Sequence, residues 1–365
     1  MSELNRSSGP VAIMCFSDGS GGMEQDALKL ARRLCDDSKI VLVCKQGSFL
    51  HELAQKYAGC FRCEAISFSS RLFSVAMLVK VRRLIRKHIV KNVIFFGASE
   101  LKTLHFAFLG FGLNVIVRHG TTKSKPKTDW LHRHVYSNVN YHVALSRHLL
   151  NNAKDIVPRT KGVSWKIIYP SLEFLGQKTD VTKEAPFDGL MLTHVGRQAR
   201  GKGQVDAVLA CKALAEAGVN FRLELLGGVE DEDYHAEIKQ AVDRSGLADR
   251  VMIRGHISNV SDALAKSDIF LFPSYGEGMA NAFIEALSFG LPCIAYDNTV
   301  FPEFIEMGFH ITLADDRDLE DLSRKLLAST QALGQEKEAS KGNILLASKY
   351  FSCENERERW RSILV

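Results

Sequence analysis

The sequence predicts an α/β chain built from two doubly wound parallel sheets. Short apolar runs alternate with helix-period segments from end to end, the pattern of parallel strands covered by helices on both faces. A length of 365 residues with 46% hydrophobic content favours two domains over one. A polar stretch at 177–186, close behind the turn Tyr169-Pro170-Ser171, divides the apolar runs into two sets and places a hinge near Pro170.

In the first half the strands are expected at 11–16, 40–44, 93–96, 115–118 and 167–169. The first strand runs into Ser17-Asp-Gly-Ser-Gly-Gly-Met-Glu24, a glycine loop that opens a helix. A dinucleotide fingerprint would need a third glycine three residues after Gly21, where this chain has Glu24, a poor neighbour for a pyrophosphate. Hydride transfer with a nicotinamide cofactor is therefore disfavoured. The segment 71–88 combines an apolar face with clustered cations. Val115-Ile-Val-Arg-His-Gly-Thr-Thr122 sets His119 at the carboxyl end of a strand, where open α/β sheets place their ligands. The competing reading is a structurally satisfied histidine.

The second half begins with a strand at 190–195, turned by Gly196. Arg197 and Lys202 bracket a flexible loop before a helix at 204–217, a composition suited to gripping a diphosphate by charge-assisted hydrogen bonds. The glycine and lysine spacing is not that of a P-loop. Strands follow at 222–226 and 251–254. Asp231-Glu-Asp233 precedes a helix at 234–245, where acids favour the helix dipole, so a metal there is not expected.

The strand at 269–272 leads into Pro273-Ser-Tyr-Gly-Glu-Gly-Met-Ala-Asn281 and a helix at 281–289, with Glu277 in the loop and Glu285 one turn into the helix. A helix start leaves backbone N–H groups unpartnered, so the backbone of Gly278, Met279, Ala280 and Asn281 offers a phosphate cradle. The two acceptor oxygens of Glu285 suit a vicinal diol such as a ribose. A last strand is expected at 293–295, and the tail 350–360 reads as a charged amphipathic helix.

No apolar run approaches the roughly 20 residues of a spanning helix, and residues 1–10 lack the apolar segment of a signal peptide, so export is not expected. Of the eight cysteines, Cys15, Cys44 and Cys293 fall in strand-like runs and Cys35 and Cys211 on helices, as small hydrophobes of a reducing compartment. Cys60 and Cys63 have redox or metal spacing without a second pair. Net charge is +5 and unevenly spread, with Lys123, Lys125, Lys127, Arg133 and His134 following the His119 strand. Such basic segments suit contact with anionic lipid, or a helix packed on the sheet with a solvated basic edge. Nucleic acid is disfavoured, because neither binding motifs nor interleaved aromatics accompany the charge.

On Gly21-Gly22-Met23-Glu24, Arg118-His119-Gly120, Gly196-Arg197 with Lys202-Gly203, and the stretch from Glu277 to Glu285 continued through Ile294, the chain resembles the nucleotide-sugar-dependent glycosyltransferases of the GT-B fold. It is most similar to the large retaining family 4, the glycosyl transferases group 1 of lipopolysaccharide-core and polysaccharide synthesis. The resemblance covers nearly the whole chain. It implies two Rossmann-like domains facing across a cleft: residues 1–172, completed by a C-terminal helix at 345–365, binding the acceptor, and residues 173–344 binding the nucleotide sugar.

It further implies that Arg197 and Lys202 bind the donor diphosphate, Glu285 the ribose hydroxyls and Glu277 hydroxyls of the donor sugar. His119 would lie beside that sugar and, with Glu277, be catalytic, hydrogen-bonding the sugar or stabilising positive charge at its anomeric carbon, and Gly21 and Gly22 would make room for donor and acceptor. The implied reaction moves a hexose from a nucleoside-diphosphate sugar, most commonly of uridine with the base near Gly255-His256-Ile257, to a glycan or lipid-linked acceptor. It proceeds with retention by front-face attack and needs no metal or cofactor. The expected location is the cytoplasm, with peripheral contact at the inner face of the membrane as an option. Two alternatives share the fold: a sugar-nucleotide epimerase, and a non-catalytic nucleotide-sugar-binding subunit.

Overall fold

The computed structural model describes residues 9–19, 21–57, 59–68, 74–97, 100–172 and 187–365. Contacts divide the chain into two compact units, one running to Pro170 and resuming at Cys353–Val365, the other Ser171–Ser352.

Unit 1 contains β1 (Val11–Cys15), α1 (Gly22–Leu34), β2 (Ile40–Lys45), α2 (Phe49–Gln55), β3 (Arg62–Ile66), α3 (Val75–His88), β4 (Asn92–Phe96), α4 (Leu101–Phe108), β5 (Asn114–His119), α5 (Trp130–Tyr136), β6 (Tyr141–Ala144), α6 (Arg147–Ile156) and β7 (Ser164–Ile167). Its seven strands are all parallel in the order β3-β2-β1-β4-β5-β6-β7. The central strands are buried along their whole length, as sheets covered on both faces require, and this is why they read as unbroken apolar runs. Helix starts follow local side chains: Ser48, Ser74, Asp129 and Ser146 each accept a hydrogen bond from a first-turn N–H.

Unit 2 contains β8 (Leu190–Val195), a 3-10 turn at Arg200–Lys202, α7 (Gln204–Glu216), β9 (Phe221–Leu226), α8 (Glu232–Arg244), β10 (Val251–Gly255), α9 (Val260–Lys266), β11 (Ile269–Phe272), α10 (Asn281–Ser288), β12 (Cys293–Tyr296), α11 (Phe301–Glu306), β13 (Thr312–Ala314), α12 (Leu319–Gln331), α13 (Leu333–Ser340) and α14 (Gly342–Phe351). Its six parallel strands run β10-β9-β8-β11-β12-β13, the doubly wound order with its reversal between β8 and β11. Phe272, Phe283, Phe301 and Phe304 pack edge-on or tilted behind β11 and α10, with centroids 5.1 to 6.1 Å apart for the pairs that include Phe283.

The chain then returns to unit 1 as α15 (Cys353–Arg361). The single tail helix expected at 350–360 is two: Ser352 takes an extended conformation (φ −72°, ψ 152°) between α14 and α15. Helix α14 packs on α10 within unit 2, so the return begins at Cys353 rather than at 345. Trp360 is fully buried, and the chain's last residues bond to the starts of β4 and β5. Asn92 Nδ2 donates to the Val365 carbonyl (2.8 Å), and Asn114 Nδ2 to that of Ile363 (2.8 Å).

Strands β3, β6 and β13 were not expected from the sequence, and the strand placed at 167–169 sits earlier, at Ser164–Ile167. The polar stretch 177–186 lies outside the described residues, as do Arg71, Leu72 and Phe73 of the basic segment. Among the described residues no helix is long and apolar enough to cross a membrane.

Candidate functional site

Both halves of the site expected in unit 2 hang from the strand ends where the sheet order reverses. Beyond β8, Gly196 turns the chain and Arg197–Lys202 loops out. Beyond β11, Pro273–Ala280 leads to α10. Gly203 clamps the two loops together. It has φ +73°, and a Cβ there would land inside the Pro273 carbonyl, so only glycine lets them approach. Gly227 does the same beside the Gly196 carbonyl, at φ +148°.

Polar side chains lock this contact. Buried Gln204 donates to the carbonyls of Gly196 (3.2 Å) and Arg197 (2.9 Å). His194, also buried, donates from Nε2 to the Lys202 carbonyl (2.9 Å) and stacks on Phe272. The backbone N–H of Tyr275 reaches the Gly201 carbonyl (3.0 Å). The Ser274 hydroxyl is fully buried, 3.0 Å from the Gly201 carbonyl and 2.9 Å from Glu277 Oε1.

The two charged residues expected to bind different parts of a donor meet directly. Lys202 Nζ donates to Glu277 Oε1 at 2.7 Å, both side chains being largely shielded from water. The Glu277 N–H donates to Thr299 Oγ1 (3.0 Å), Thr299 donates to Asn298 Oδ1 (3.0 Å), and Asn298 Nδ2 donates to the Ser274 carbonyl (3.0 Å). Glu277 is thus held on its carboxylate side by Lys202 and Ser274 and on its backbone side by Thr299. Arg197 lies at the surface, paired with Glu230 at 2.6 Å.

Helix α10 starts at Asn281, as expected, with Ala280 as its cap residue and no side chain capping its first turn. Gly278, Met279 and Ala280 form the approach, and the Asn281 N–H already points to the Met279 carbonyl (3.1 Å). Glu285 lies half-buried one turn in. The arrangement offers an anion a lysine and a side-chain-free helix start on one strand-end surface.

In unit 1, Gly21 caps α1, and Gly22 opens it with no atom near the space a Cβ would take. Glu24 is buried, its carboxylate turned back to 3.3 Å from where a Gly19 Cβ would sit.

His119 ends β5 but is only 2% exposed. Lys123 Nζ lies 3.4 Å from its Nδ1, and its Nε2 is 2.9 Å from Nδ1 of His142, which stacks on Trp165 at 4.3 Å. Lys123 can only donate, so His119 carries its proton on Nε2 and passes that bond to His142. Burial and the charge of Lys123 push the His119 imidazole well below its ordinary range, and burial brings Lys123 down to about 8. The strand end therefore presents a neutral histidine with both nitrogens engaged, not an imidazole free at the surface.

Three buried histidines carry a prediction. Burial lowers His142 to about 3 and His194 to about 4, and His119 lies well below 6.5. Between their unfolded value near 6.5 and these depressed folded values the unfolded chain binds more protons, so stability falls as pH falls, by up to about 1.4 kcal/mol per pH unit for each histidine. Urea unfolding is expected to show lower stability at pH 5 than at pH 7. Equal midpoints would overturn the assignment.

Other sequence expectations resolve locally. Cys63 Sγ lies 3.7 Å from Cys44 Sγ on the neighbouring strand, while Cys60 is exposed. Asp231 caps α8 by accepting from the Tyr234 N–H (3.0 Å). Among the described residues no three His, Cys, Asp or Glu side chains converge as metal ligands. Ser274, Gln204, Asn298 and Thr299 were missed from sequence. Their only signal is a hydroxyl or amide just beyond a strand end or, for Gln204, at the first position of a helix.

Residues 178–339 match the family model described as glycosyl transferases group 1. The amylovoran biosynthesis glycosyltransferase AmsK of Erwinia amylovora is 30% identical over 157 residues, 41% of this chain and 38% of that protein. The lipopolysaccharide core biosynthesis mannosyltransferase LpsB of Rhizobium meliloti is 29% identical over 128 residues, 34% of this chain and 36% of that protein. These alignments span less than two fifths of either relative's length. Over the whole fold, a glycosyltransferase from Rickettsia africae superposes with TM-score 0.83 at 15% identity, covering 98% of each chain. Anabaena HepE, solved in complex with UDP, superposes with TM-score 0.81 at 16% identity, over 97% of this chain and 99% of that one. The chain has the GT-B fold of these structures, and its segment 178–339, which carries the Lys202–Glu277 pair and the start of α10, matches the glycosyl transferases group 1 family.

Proposed function

We propose that this chain is a retaining glycosyltransferase that moves a hexose from a nucleoside-diphosphate sugar, a UDP-sugar, to a glycan or lipid-linked acceptor in bacterial envelope polysaccharide or lipopolysaccharide synthesis. The observation that carries it is the Lys202–Glu277 pair beside an uncapped helix start, inside the family match. The relatives AmsK and LpsB are named for amylovoran and lipopolysaccharide core biosynthesis, and HepE was solved with UDP.

Breaking the bond between sugar and diphosphate puts negative charge on the leaving oxygen and positive charge on the sugar. Lys202, Arg197 and the backbone at Gly278, Met279, Ala280 and Asn281 stabilise the former, and such electrostatic donors are each worth roughly 2.7 to 4 kcal/mol in a closed site. On this reading the chain needs no metal for the leaving group. Glu285 takes the ribose diol and Glu277 the sugar hydroxyls. Gly21 and Gly22 leave space for the reacting groups. His119 acts as a neutral residue that orders Lys123 and the turn after β5.

A diphosphate that engages Lys202 must share it with Glu277. Glu277→Gln removes the competing carboxylate charge, so UDP alone is expected to bind about two- to fivefold tighter, the worth of a partly exposed ion pair. The extra affinity of a UDP-sugar over UDP should disappear, and isothermal titration of both ligands checks the two signs.

Peripheral membrane contact belongs to the outer surface of α3. Its cations are largely employed inside unit 1. Lys87 and His88 bind Glu64, Lys80 binds Ser67, and Arg82 donates to the carbonyls of Phe106, Ala107 and Leu109. Arg83, with exposed Val75 and Val79, remains for anionic lipid.

Saturation-transfer NMR against UDP-glucose, UDP-N-acetylglucosamine, UDP-galactose, GDP-mannose and ADP-heptose tests the proposal. Selective binding of one donor, lost in Glu285→Ala, is the expected result. Binding of none overturns the donor reading.

A further inference from the structure

Two residues before Glu277, the donor loop is tied to a carboxylate that the site as described does not use. Asp206 stands in the first turn of α7, directly beyond the Gly203 clamp. Its Oδ2 accepts from the hydroxyl of Tyr275 (3.1 Å) and from that of Tyr296 (2.7 Å). Tyr296 ends β12 and is fully buried, two residues before Asn298. Tyr275 is half-buried, with the Arg317 guanidinium 5.0 Å over its ring. A single oxygen therefore joins the segment that carries Lys202, the loop that carries Glu277 and the strand that leads to Asn298 and Thr299.

An acid in a first helical turn is commonplace, and by itself would say only that it favours the dipole. Two phenols, one fully buried and one half-buried, converging on one oxygen say more. Burial and the neighbouring carboxylate push both phenols above their ordinary range, so both stay protonated and remain donors. The backbone around them is tied in the same direction. The Tyr275 N–H is bonded to the Gly201 carbonyl and the Glu277 N–H to Thr299 Oγ1.

We propose that Asp206 is a positioning residue for sugar recognition: by clamping Tyr275 and Tyr296 it sets the loop that aims Glu277, while the diphosphate grip of Lys202 and the α10 start is left to other contacts. This rests on reading unit 2 as a nucleotide-sugar site, but the clamp has its own test. Amide hydrogen exchange is compared between the wild-type chain, Asp206→Ala and Asp206→Asn without added ligand. In Asp206→Ala the amides of Tyr275 and Glu277 are expected to exchange roughly tenfold faster or more, with those of β8 and β11 unchanged, because local opening moves loops before core strands. Asp206→Asn keeps a carbonyl acceptor and should restore most of the protection.

With UDP and UDP-glucose as probes, Asp206→Ala should leave UDP affinity within about threefold and erase most of the difference between the two ligands, the signature of one lost orienting contact. Tyr275→Phe with Tyr296→Phe should reproduce it, and adding Asp206→Ala to that pair should cost little more, since the three groups act together. Unchanged exchange at Tyr275 and Glu277 overturns the clamp. Equal loss of UDP and UDP-glucose, with faster exchange spread through β8 and β11, overturns it in favour of a general stabilising role. If the wild-type chain binds neither nucleotide, the donor reading falls while the exchange result still decides the clamp.

Discussion

Gly203→Ala is expected to unfold unit 2 more readily and to abolish UDP binding. The residue sits at φ +73° with its missing side chain aimed at the Pro273 carbonyl. A left-handed conformation costs a residue with a Cβ roughly 1–2 kcal/mol. Forcing apart the two loops adds an overpacking cost of about 1–3 kcal/mol. The total, roughly 2–5 kcal/mol, is a large share of the 5–15 kcal/mol that holds a typical domain. The same displacement moves Lys202 away from Glu277, since the Lys202 carbonyl is pinned by His194 and the Ser274 hydroxyl by Gly201. Gly201→Ala is the matched control: no atom lies within 4 Å of its added Cβ, so it should change stability by less than about 0.5 kcal/mol. Urea unfolding and UDP titration on both variants check the contrast. Wild-type behaviour of Gly203→Ala would mean that the loops are not in contact.

Arg118→Ala should destabilise unit 1 by roughly 3–5 kcal/mol, the cost of removing one member of a buried ionic network. Arg118 forks onto Asp26, at 2.7 Å from Nε to Oδ2 and 3.0 Å from Nη2 to Oδ1. Its Nη2 is 3.8 Å from Glu356, whose other oxygen takes Arg33 at 2.5 Å. The guanidinium also lies 5.4 Å over the buried Trp360 ring and 5.5 Å over Phe96. Alanine leaves Asp26 and Glu356 facing each other with one cation between them, and removes the plate on which α15 rests. Burial already pushes the Asp26 carboxyl up and Arg118 opposes that shift. Without Arg118 the folded value rises further above the unfolded one. The folded variant then holds a proton that the unfolded chain releases, so its deficit relative to wild type should shrink as pH falls towards 5. Tryptophan fluorescence through urea unfolding follows the change, since Trp130, Trp165 and Trp360 all lie in unit 1. A deficit that does not vary with pH would show the network to be worth no more than its packing.

Most of the fold was legible because central parallel strands must be apolar along their whole length. β1 and β11 announced themselves this way, and β4, β5 and β8 by an apolar run with polar residues only towards a strand end. β3 did not, because Arg62-Cys-Glu-Ala-Ile66 is an edge strand with charged, exposed positions. β13 is three residues long, too short for any period to register. The break at Ser352 was hidden for a related reason: an amphipathic pattern continues through it, and what ends α14 is the start of a different unit. Within the site, the strand-to-helix junctions and their charged residues could be read from composition and spacing. The direct bond from Lys202 to Glu277 could not, since it depends on how two loops far apart in sequence are drawn together by a carbonyl and a missing Cβ. His119 shows the opposite failure. Its place at a strand end was visible, but its burial against His142 and Lys123 was fixed by neighbours no local pattern encodes.

The return of α15 gives the protein a definite order of assembly on the ribosome. Unit 1 begins the chain, yet the helix that supplies Trp360 and Glu356, and the backbone that Asn92 and Asn114 bind, are translated only after all of Ser171–Ser352 has emerged. The first unit to be made is thus the last to be finished. Until then β1, β5 and α1 expose an apolar face, and the Arg118–Asp26 fork lacks its cover, the kind of surface that chaperones bind. Unit 2, continuous in the chain, can close in the meantime.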